Sequence, residues 1–209
     1  MSTPLRRQYL EIKRRHPGML LLFQIGDFYE TFDEDAETLA RELGVVLTRK
    51  WFGKGNSHPL AGIPVRSLES HLARLINRGY KVAVCDQVTP PGRGLVEREV
   101  VRIVTPGTVV EPGLLEGRSN NYLAALVATD RAAGLAYADV STGEFRVTEL
   151  EGAQAFVELE RIAPAELIAP RSLDLPSLEV RAVTRVDDAR VELDVARRVL
   201  LEHFQVISL

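Results

Sequence analysis

The alternation of apolar and polar positions predicts an α/β first half. Thr3 can cap a helix that begins at Pro4 and places Tyr9 and Ile12 on one face. A continuous apolar run at residues 19–25 predicts a buried strand. The same reasoning predicts further strands at 45–48, 81–86 and 96–104, loops at 49–59 and 90–94, a helix capped by Asp33 and closed by Gly44, and a helix capped by Ser67 and closed by Gly79.

The predicted elements of the second half differ from those of the first in order and spacing, which indicates a separate domain. Three strands joined by tight turns are followed by helix, strand, strand and helix, predicted at 122–129, 135–141, 145–149, 152–162, 166–169, 178–183 and 193–204. This order resembles a ribonuclease-H-like α/β layer. We therefore predict a mixed α/β domain at 1–108, a linker at 109–118, and a ribonuclease-H-like α/β domain at 119–209.

Composition and charge narrow the class of protein. Hydrophobic residues make up 45% of the chain and charged residues 26%, as in ordinary globular domains. There is no apolar run of membrane-spanning length and no signal peptide, and the single Cys85 excludes an internal disulfide, so we expect a cytoplasmic protein without a membrane partner. Residues 1–108 hold 16 Lys+Arg against 12 Asp+Glu, whereas residues 109–209 hold 10 against 17. Only the first half therefore carries a net positive charge that would attract a polyanion, and this net charge is small.

The segment Gly26-Asp27-Phe28-Tyr29-Glu30 lies between a predicted strand and a predicted helix, where a fold can present side chains outward. If it is extended, Phe28 and Glu30 share one face and Tyr29 points into the core. A phenylalanine there can act as a wedge between stacked bases, and a carboxylate can accept a hydrogen bond from a base edge. Most phenylalanines are buried, however, and the pattern alone favours a buried Phe28.

Four segments in order resemble the MutS family of DNA mismatch-repair proteins, and the resemblance covers essentially the whole chain. They are Gly26-Asp27-Phe28-Tyr29-Glu30, Ala61-Gly62-Ile63-Pro64, the segment VEREVVRIVTPGT at 96–108, and the segment DVSTGEF at 139–145. The resemblance implies that the first domain recognises mismatches and that the second is the connector domain. It also implies that Phe28 enters from the minor groove and stacks on a mispaired or unpaired base, while Glu30 hydrogen-bonds to that base.

Basic and small polar residues are the candidates for holding the DNA backbone. Spacing of four in a strand predicts one shared face for Arg98 and Arg102. For each candidate, a solvated surface residue is an equally good interpretation. With Phe28 and Glu30, the predicted DNA-binding residues are Arg49, Lys50, Lys54, Asn56, Ser57, Arg66, Ser67, Arg98 and Arg102.

The resemblance also implies partners outside this sequence. Family members continue with a lever, a clamp and a dimerising ATPase domain, none of which is expected here, and no Walker motif is present. We therefore expect a piece of a longer protein that is monomeric on its own, catalyses no reaction and needs no cofactor. The full-length family uses ATP and Mg²⁺ and acts as a homodimer on mismatched duplex DNA in the nucleoid. A MutL-type repair protein is expected to bind through the connector domain.

Two other functions stay open. The acidic second half can serve as a protein–protein interaction module, with DNA binding too weak to matter. Alternatively, Asp130, Asp139 and Glu144 can be compared with the clustered carboxylates of ribonuclease-H nucleases. We disfavour the nuclease because Asp139 precedes Ser141-Thr142-Gly143, a common turn sequence. The spacing of the four histidines does not suggest a metal site.

Overall fold

The computed structural model describes residues 3–53, 57–89, 94–111, 113–114, 120–175 and 180–208. Internal contacts divide the chain into two units, Met1–Gly117 and Arg118–Leu209. Each unit has its own mixed sheet and its own hydrophobic core, so the predicted α/β fold class is confirmed. None of the helices in the described part of the chain has the length and apolar character that a membrane span requires.

The first unit is built around a six-stranded sheet in the order β3-β4-β2-β1-β5-β6, counted over the described residues. β1 and β5 are parallel, and every other neighbouring pair is antiparallel. Its elements are α1 (Pro4–Arg15), β1 (Leu20–Ile25), β2 (Phe28–Phe32), α2 (Glu34–Leu43), β3 (Thr48–Trp51), β4 (Ser57–Pro64), a 3₁₀ turn (Val65–Ser67), α3 (Leu68–Asn77), β5 (Val82–Gln87) and β6 (Arg98–Val104).

Helices cover both faces of this sheet. On one face, called the α1 face, Tyr9 and Ile12 of α1 pack against Phe23 and Phe32. On the other, called the α3 face, α2 and α3 cover the alternate strand residues, among them Leu22 and Tyr29. This period of two explains why the strands at the centre are apolar throughout: both of their faces are buried.

Several local predictions were wrong. Residues 49–59 were predicted as a loop, but Thr48–Trp51 and Ser57–Pro64 pair as antiparallel strands. The glycines and polar residues of this segment suggested a loop. In the structure β4 pairs with β2, and β3 pairs with the other side of β4. Pairing between strands therefore overrides the local preference of these residues. Residues 45–47, predicted as a strand, lie outside β3.

Two predicted helix caps have other roles. Asp33 occupies the position before α2, but its carboxylate pairs with Arg6 and His58 and caps no backbone N–H. The Ser67 hydroxyl donates to the carbonyl oxygen of Pro64 at 2.9 Å. Thr3 does cap α1, accepting from the N–H of Arg6, and Gly44 closes α2 in the left-handed conformation, as predicted.

The second unit has a five-stranded sheet in the order β11-β10-β7-β8-β9 over the described residues. β7, β8 and β9 form an antiparallel meander, and β10 lies parallel to both β7 and β11. This matches the predicted layer, although β11 begins later than expected. The elements are β7 (Tyr122–Ala128), β8 (Ala132–Asp139), β9 (Glu144–Glu151), α4 (Gly152–Ile162), β10 (Glu166–Pro170), β11 (Ala182–Val186), a 3₁₀ turn (Asp188–Val191) and α5 (Leu193–Phe204).

The predicted linker, residues 109–118, is only partly described. Val109 and Leu114, which the sequence placed in a linker, are buried in the α3-face core of the first unit. The apolar side chains of this segment thus contribute to a folded core. Residues 112 and 115–119 lie outside the described residues.

Candidate nucleic-acid interface

The segment that carries Phe28 is a tight hairpin between β1 and β2. Ile25 pairs directly with Phe28, so only Gly26 and Asp27 connect the strands. Such two-residue turns need a positive φ, and Gly26 supplies one at +60°. The hairpin places Phe28 at the end of the sheet, with 46% of the residue exposed. The burial that the pattern alone favoured is therefore wrong for this residue.

Tyr29 anchors the strand on the opposite face. It is only 4% exposed, and its hydroxyl donates to Oδ1 of Asp86 at 2.6 Å. Burial, and then the hydrogen bond to Asp86, raise the pKa of Tyr29 well above its usual value, so it remains a neutral donor. Because Tyr29 faces the α3 side, Phe28 and Glu30 both lie on the α1 face, as the alternation predicted.

Glu30 is paired with a cation from another strand. Its carboxylate lies 2.5 Å from Nζ of Lys50 on β3, and the two side chains are 18% and 30% exposed respectively. The residue opposite Glu30 on the intervening strand β4 is Gly62. A Cβ atom built there would lie 3.5 Å from Cγ of Glu30 and 3.1 Å from the carbonyl oxygen of Tyr29. Gly62 therefore leaves space beside the Glu30 carboxylate.

An exposed arginine, Arg66, follows the β4 residue that pairs with Phe28. Phe28 pairs with Pro64, and the N–H of Val65 donates to the carbonyl oxygen of Asp27 at 2.9 Å. This contact brings the 3₁₀ turn that contains Arg66 against the hairpin. Arg66 is exposed and has no hydrogen-bond or ion-pair partner within the described part of the chain.

The β3–β4 hairpin carries further predicted contacts. Nε of Arg49 donates to Oγ of Ser57 at 2.6 Å, and its Nη2 donates to the Ser57 carbonyl oxygen at 2.8 Å. These neutral oxygens leave the charge of the exposed Arg49 unbalanced. Lys54 and Asn56 lie outside the described residues.

Residues 3–112 match the family described as MutS domain I, and residues 121–209 match the family described as MutS domain II. The chain belongs to the MutS family. It is 52% identical over 211 residues to the DNA mismatch repair protein MutS of Dehalococcoides mccartyi, a match that covers 99% of this chain and 25% of that protein. The proteins of the same name from Methanothrix thermoacetophila and Chlorobaculum tepidum are 51% and 43% identical, covering 85% and 99% of this chain and 21% and 25% of theirs. The chain spans about a quarter of the length of these relatives.

Arg98 occupies an interior position in this MutS-family chain. It is 7% exposed and lies 4.9 Å from the centroid of the Phe23 ring. Its guanidinium donates to the carbonyl oxygens of Gln24 and Val96, at 2.5 and 2.8 Å, and to the Gln8 side chain. Burial lowers the pKa of Arg98. Its contacts hold β6 and the end of β1 together, which differs from the surface phosphate contact that the sequence suggested.

Arg102 does not share a face with Arg98, so that prediction was wrong. Cys85 pairs with Val100 and Val84 with Arg102, which leaves Val101 as a β-bulge. One extra residue reverses the alternation of side chains. Arg102 consequently faces the α3 side, where it pairs with Glu69 at 2.8 Å and Glu111 at 2.6 Å. Burial opposes its charge, but the hydrogen bond to Glu69 and the charge of Glu111 outweigh burial and raise the pKa of Arg102.

Sequence reasoning missed the supporting roles of Asp86 and Gly62. Asp86 was predicted at the end of a strand, and a carboxylate that becomes buried there usually has a hydrogen-bond donor as partner. That rule could have drawn attention to Asp86, although the sequence does not say that the donor is Tyr29. Gly62 interrupts the pattern of β4, and such a glycine often marks a close approach between strands.

Asp139 and Glu144, two of the carboxylates that were compared with a nuclease site, have structural partners. Oδ1 of Asp139 accepts from the N–H and Oγ of Ser141 and from the N–H of Thr142, while Oδ2 accepts from the N–H of Asn121. Glu144 pairs with Arg146. Within the described ranges, the structure brings together no group of three or more His, Cys, Asp or Glu residues that could hold a metal ion.

Proposed function

We propose that this chain recognises mispaired or unpaired bases in duplex DNA, with Phe28 as the stacking residue and Glu30 as the hydrogen-bond acceptor. The supporting observation is the placement of an exposed phenylalanine and a half-buried carboxylate on one face of β2. Membership of the MutS family supports the same function, since the relatives carry the name DNA mismatch repair protein.

Phe28 would discriminate by the cost of opening a base step. Inserting an apolar wedge costs about a few kcal/mol, and the cost is smallest where base pairing is already broken. A rigid wedge is needed for this, and the two-residue hairpin with Tyr29 locked on the other face supplies one. Phe28 therefore responds to how easily the DNA deforms at that step, so one residue can recognise many different mispairs.

Glu30 would add a second criterion. A mispaired base is free to rotate and offer a donor to the carboxylate, whereas paired bases leave that carboxylate beside the negative charge of the duplex. Glu30 therefore stabilises binding to a mispair more than binding to a perfect pair. In the free protein its carboxylate is bound by Lys50, and a base donor has to replace that partner.

The residues proposed to contact the DNA backbone differ in whether their side chains already have partners within the protein. Arg66 and Arg49 are exposed and lack a carboxylate partner in the described residues, so we propose them as the main phosphate contacts. Lys50 is proposed as a phosphate contact that forms only when Lys50 is not bound to Glu30. Further proposed contacts are Lys54, Asn56, Ser57 and Ser67. Arg98 and Arg102, which have internal partners, would instead keep the sheet in shape.

The decisive test is binding of a short duplex with one unpaired T and of its perfectly paired twin, measured by fluorescence anisotropy at low salt. We expect the wild type to prefer the unpaired T, and Phe28→Ala to abolish that preference while keeping the salt-sensitive background binding. Phe145→Ala is the matched control, because Phe145 is 68% exposed but lies on β9 in the second unit. A preference that survives in Phe28→Ala would contradict the proposal.

A second candidate function, protein–protein interaction, concerns the second unit. Phe145 and Val147 are strongly exposed on β9, an edge strand of its sheet, and exposed apolar side chains on an edge favour a protein partner. We propose a MutL-type repair protein as that partner. Phe145→Ser should then weaken binding of the purified partner without changing binding to DNA, and unchanged partner binding would count against this role.

We further propose that this chain binds DNA without catalysing a reaction. ATP and Mg²⁺ would act in parts of the full-length relatives that the chain does not span, and homodimerisation would depend on those parts as well. Association with the nucleoid would follow from DNA binding. Incubation of the chain with duplex and hybrid substrates in Mg²⁺ or Mn²⁺ should leave them intact; cleavage that Asp139→Asn abolishes would overturn this view.

A further inference from the structure

The pair formed by Glu30 and Lys50 has a consequence for how mismatch reading is linked to DNA affinity. Lys50 lies on β3 and Glu30 on β2, and the strand between them carries Gly62 opposite Glu30. The ammonium of Lys50 lies 2.5 Å from the carboxylate and 5.7 Å from the centroid of the Phe32 ring. Both side chains are partly exposed, and both lie on the α1 face of the sheet, near Phe32.

Lys50 is the cation of this site that can leave. Arg98 also acts on the Glu30 side of the sheet, but it is buried and donates to several internal oxygens. Lys50 has one hydrogen-bond partner among the described residues, Glu30, and a flexible stem. The nearby carboxylate of Asp33 cannot readily take over, because Arg6 and His58 already occupy it.

We propose that Glu30 holds Lys50 in reserve and that a mispaired base releases it to bind a backbone phosphate. This inference rests on the proposed function, because it requires a base to donate to Glu30. When that donor arrives, the carboxylate keeps a hydrogen-bond partner and the ammonium becomes free beside a polyanion. On perfectly paired DNA no base reaches Glu30, so Lys50 stays on the carboxylate and adds no phosphate contact.

This transfer of Lys50 from Glu30 to a phosphate is called the hand-off below. It adds one contact to the DNA backbone when a mismatch is bound. Counterion release counts the cations that neutralise phosphates, so each added contact steepens the plot of log K against log salt by about 0.9. The wild type should therefore have a steeper salt slope on mismatched than on perfect duplex. A constitutive phosphate contact would contribute equally to both.

The test measures salt slopes by fluorescence anisotropy for the wild type and Lys50→Met on the unpaired-T duplex and its paired twin. We expect Lys50→Met to reduce the slope by about 0.9 on the unpaired-T duplex and to leave it unchanged on the paired one. In a Glu30→Gln background, which removes the negative charge that holds Lys50, Lys50→Met should reduce the slope on both duplexes. Methionine keeps most of the side-chain stem, and circular dichroism checks that each variant is folded.

Arg49→Met is the matched control. Arg49 precedes Lys50 on β3 but faces the other side and is bound to Ser57, so its loss should act equally on both duplexes. An equal slope reduction by Lys50→Met on both duplexes with Glu30 intact would overturn the hand-off, and so would no reduction on either.

These outcomes are distinguishable from failure of the proposed function. If the wild type has no Phe28-dependent preference for the unpaired T, both the function and the hand-off are overturned. If that preference is present but the Lys50 slopes do not depend on the duplex, only the hand-off is overturned.

Discussion

Tyr29 and Glu30 are neighbours on β2, and each is held by a side chain from another strand, Asp86 on β5 for Tyr29 and Lys50 on β3 for Glu30. The alternation along an extended segment places Phe28 and Glu30 on one face and Tyr29 on the other, and the structure agrees. The partners of these residues, Lys50 and Asp86, are 20 and 57 positions away. Such pairings depend on the strand order of the sheet, which a local pattern does not contain.

Gly62 illustrates a residue whose importance is purely spatial. A Cβ atom at this position would lie 3.1 Å from the carbonyl oxygen of Tyr29, which is backbone and cannot rotate away. We expect Gly62→Ala to displace β2 and the Glu30 side chain. Overpacking of this kind costs about 1–3 kcal/mol, which exceeds the gain of roughly 0.4–1 kcal/mol from a less flexible unfolded chain.

The expected result for Gly62→Ala is a loss of about 1 kcal/mol in the free energy of unfolding and a smaller preference for mismatched DNA. Urea denaturation measures the first effect and anisotropy the second. Gly134→Ala is the control, since Gly134 also lies in a strand but a Cβ atom there would meet no atom within 4 Å. Equal stability of the two variants would show that the space beside Tyr29 is not restrictive.

Among the secondary-structure elements, the helices and most of the strands were predictable, whereas β3 and β4 were not. α1, α4 and α5 follow from periodicity because each presents one apolar stripe. β3 was missed because its residues are mostly exposed and its pairing with β4 supplies the order. The bulge at Val101 was missed for a related reason: the pattern of β6 alone does not show where its register with β5 shifts.

The turn between β8 and β9 owes its shape to Asp139. This residue is buried, and its carboxylate accepts from the backbone N–H groups of Asn121, Ser141 and Thr142. Burial opposes the charged form, but these hydrogen bonds, with that of the Ser141 hydroxyl, outweigh it and lower the pKa of Asp139. A lowered pKa stabilises the fold above the unfolded value of about 3.9, and this stabilisation is lost as the pH falls through the folded value.

We expect Asp139→Asn to reduce the free energy of unfolding by about 1–3 kcal/mol at neutral pH, because an amide group would face donors that need an acceptor. The difference from wild type should shrink once the pH falls below the lowered pKa of Asp139. Urea denaturation at pH 7 and at a series of pH values below about 3.9 measures both effects. Asp130→Asn is the control in the preceding turn, where the carboxylate is exposed. A pH-independent difference for Asp139→Asn would rule out a role of its charge.

In the whole molecule, the two units differ in charge, and this bears on which of them meets DNA. Residues 1–108 carry 16 basic against 12 acidic side chains, and residues 109–209 carry 10 against 17. Much of the basic charge in the first unit is internally paired, as Arg6, Lys13 and Arg102 show. Net charge therefore overstates the attraction for DNA, and the exposed, unpaired cations near Phe28 should decide it.

Arg66 provides the test, because it has no partner among the described residues and lies on the turn that follows Pro64, the residue paired with Phe28. Arg66→Gln should weaken binding to mismatched and perfect duplexes alike and reduce both salt slopes by about 1, since a phosphate contact carries no base information. Arg131→Gln removes the same charge from an exposed position in the second unit. If only net charge mattered, the two variants would weaken binding equally; if Arg66 touches the backbone, only Arg66→Gln will change the slope. An effect of Arg66→Gln confined to the mismatched duplex would instead make Arg66 part of mismatch reading.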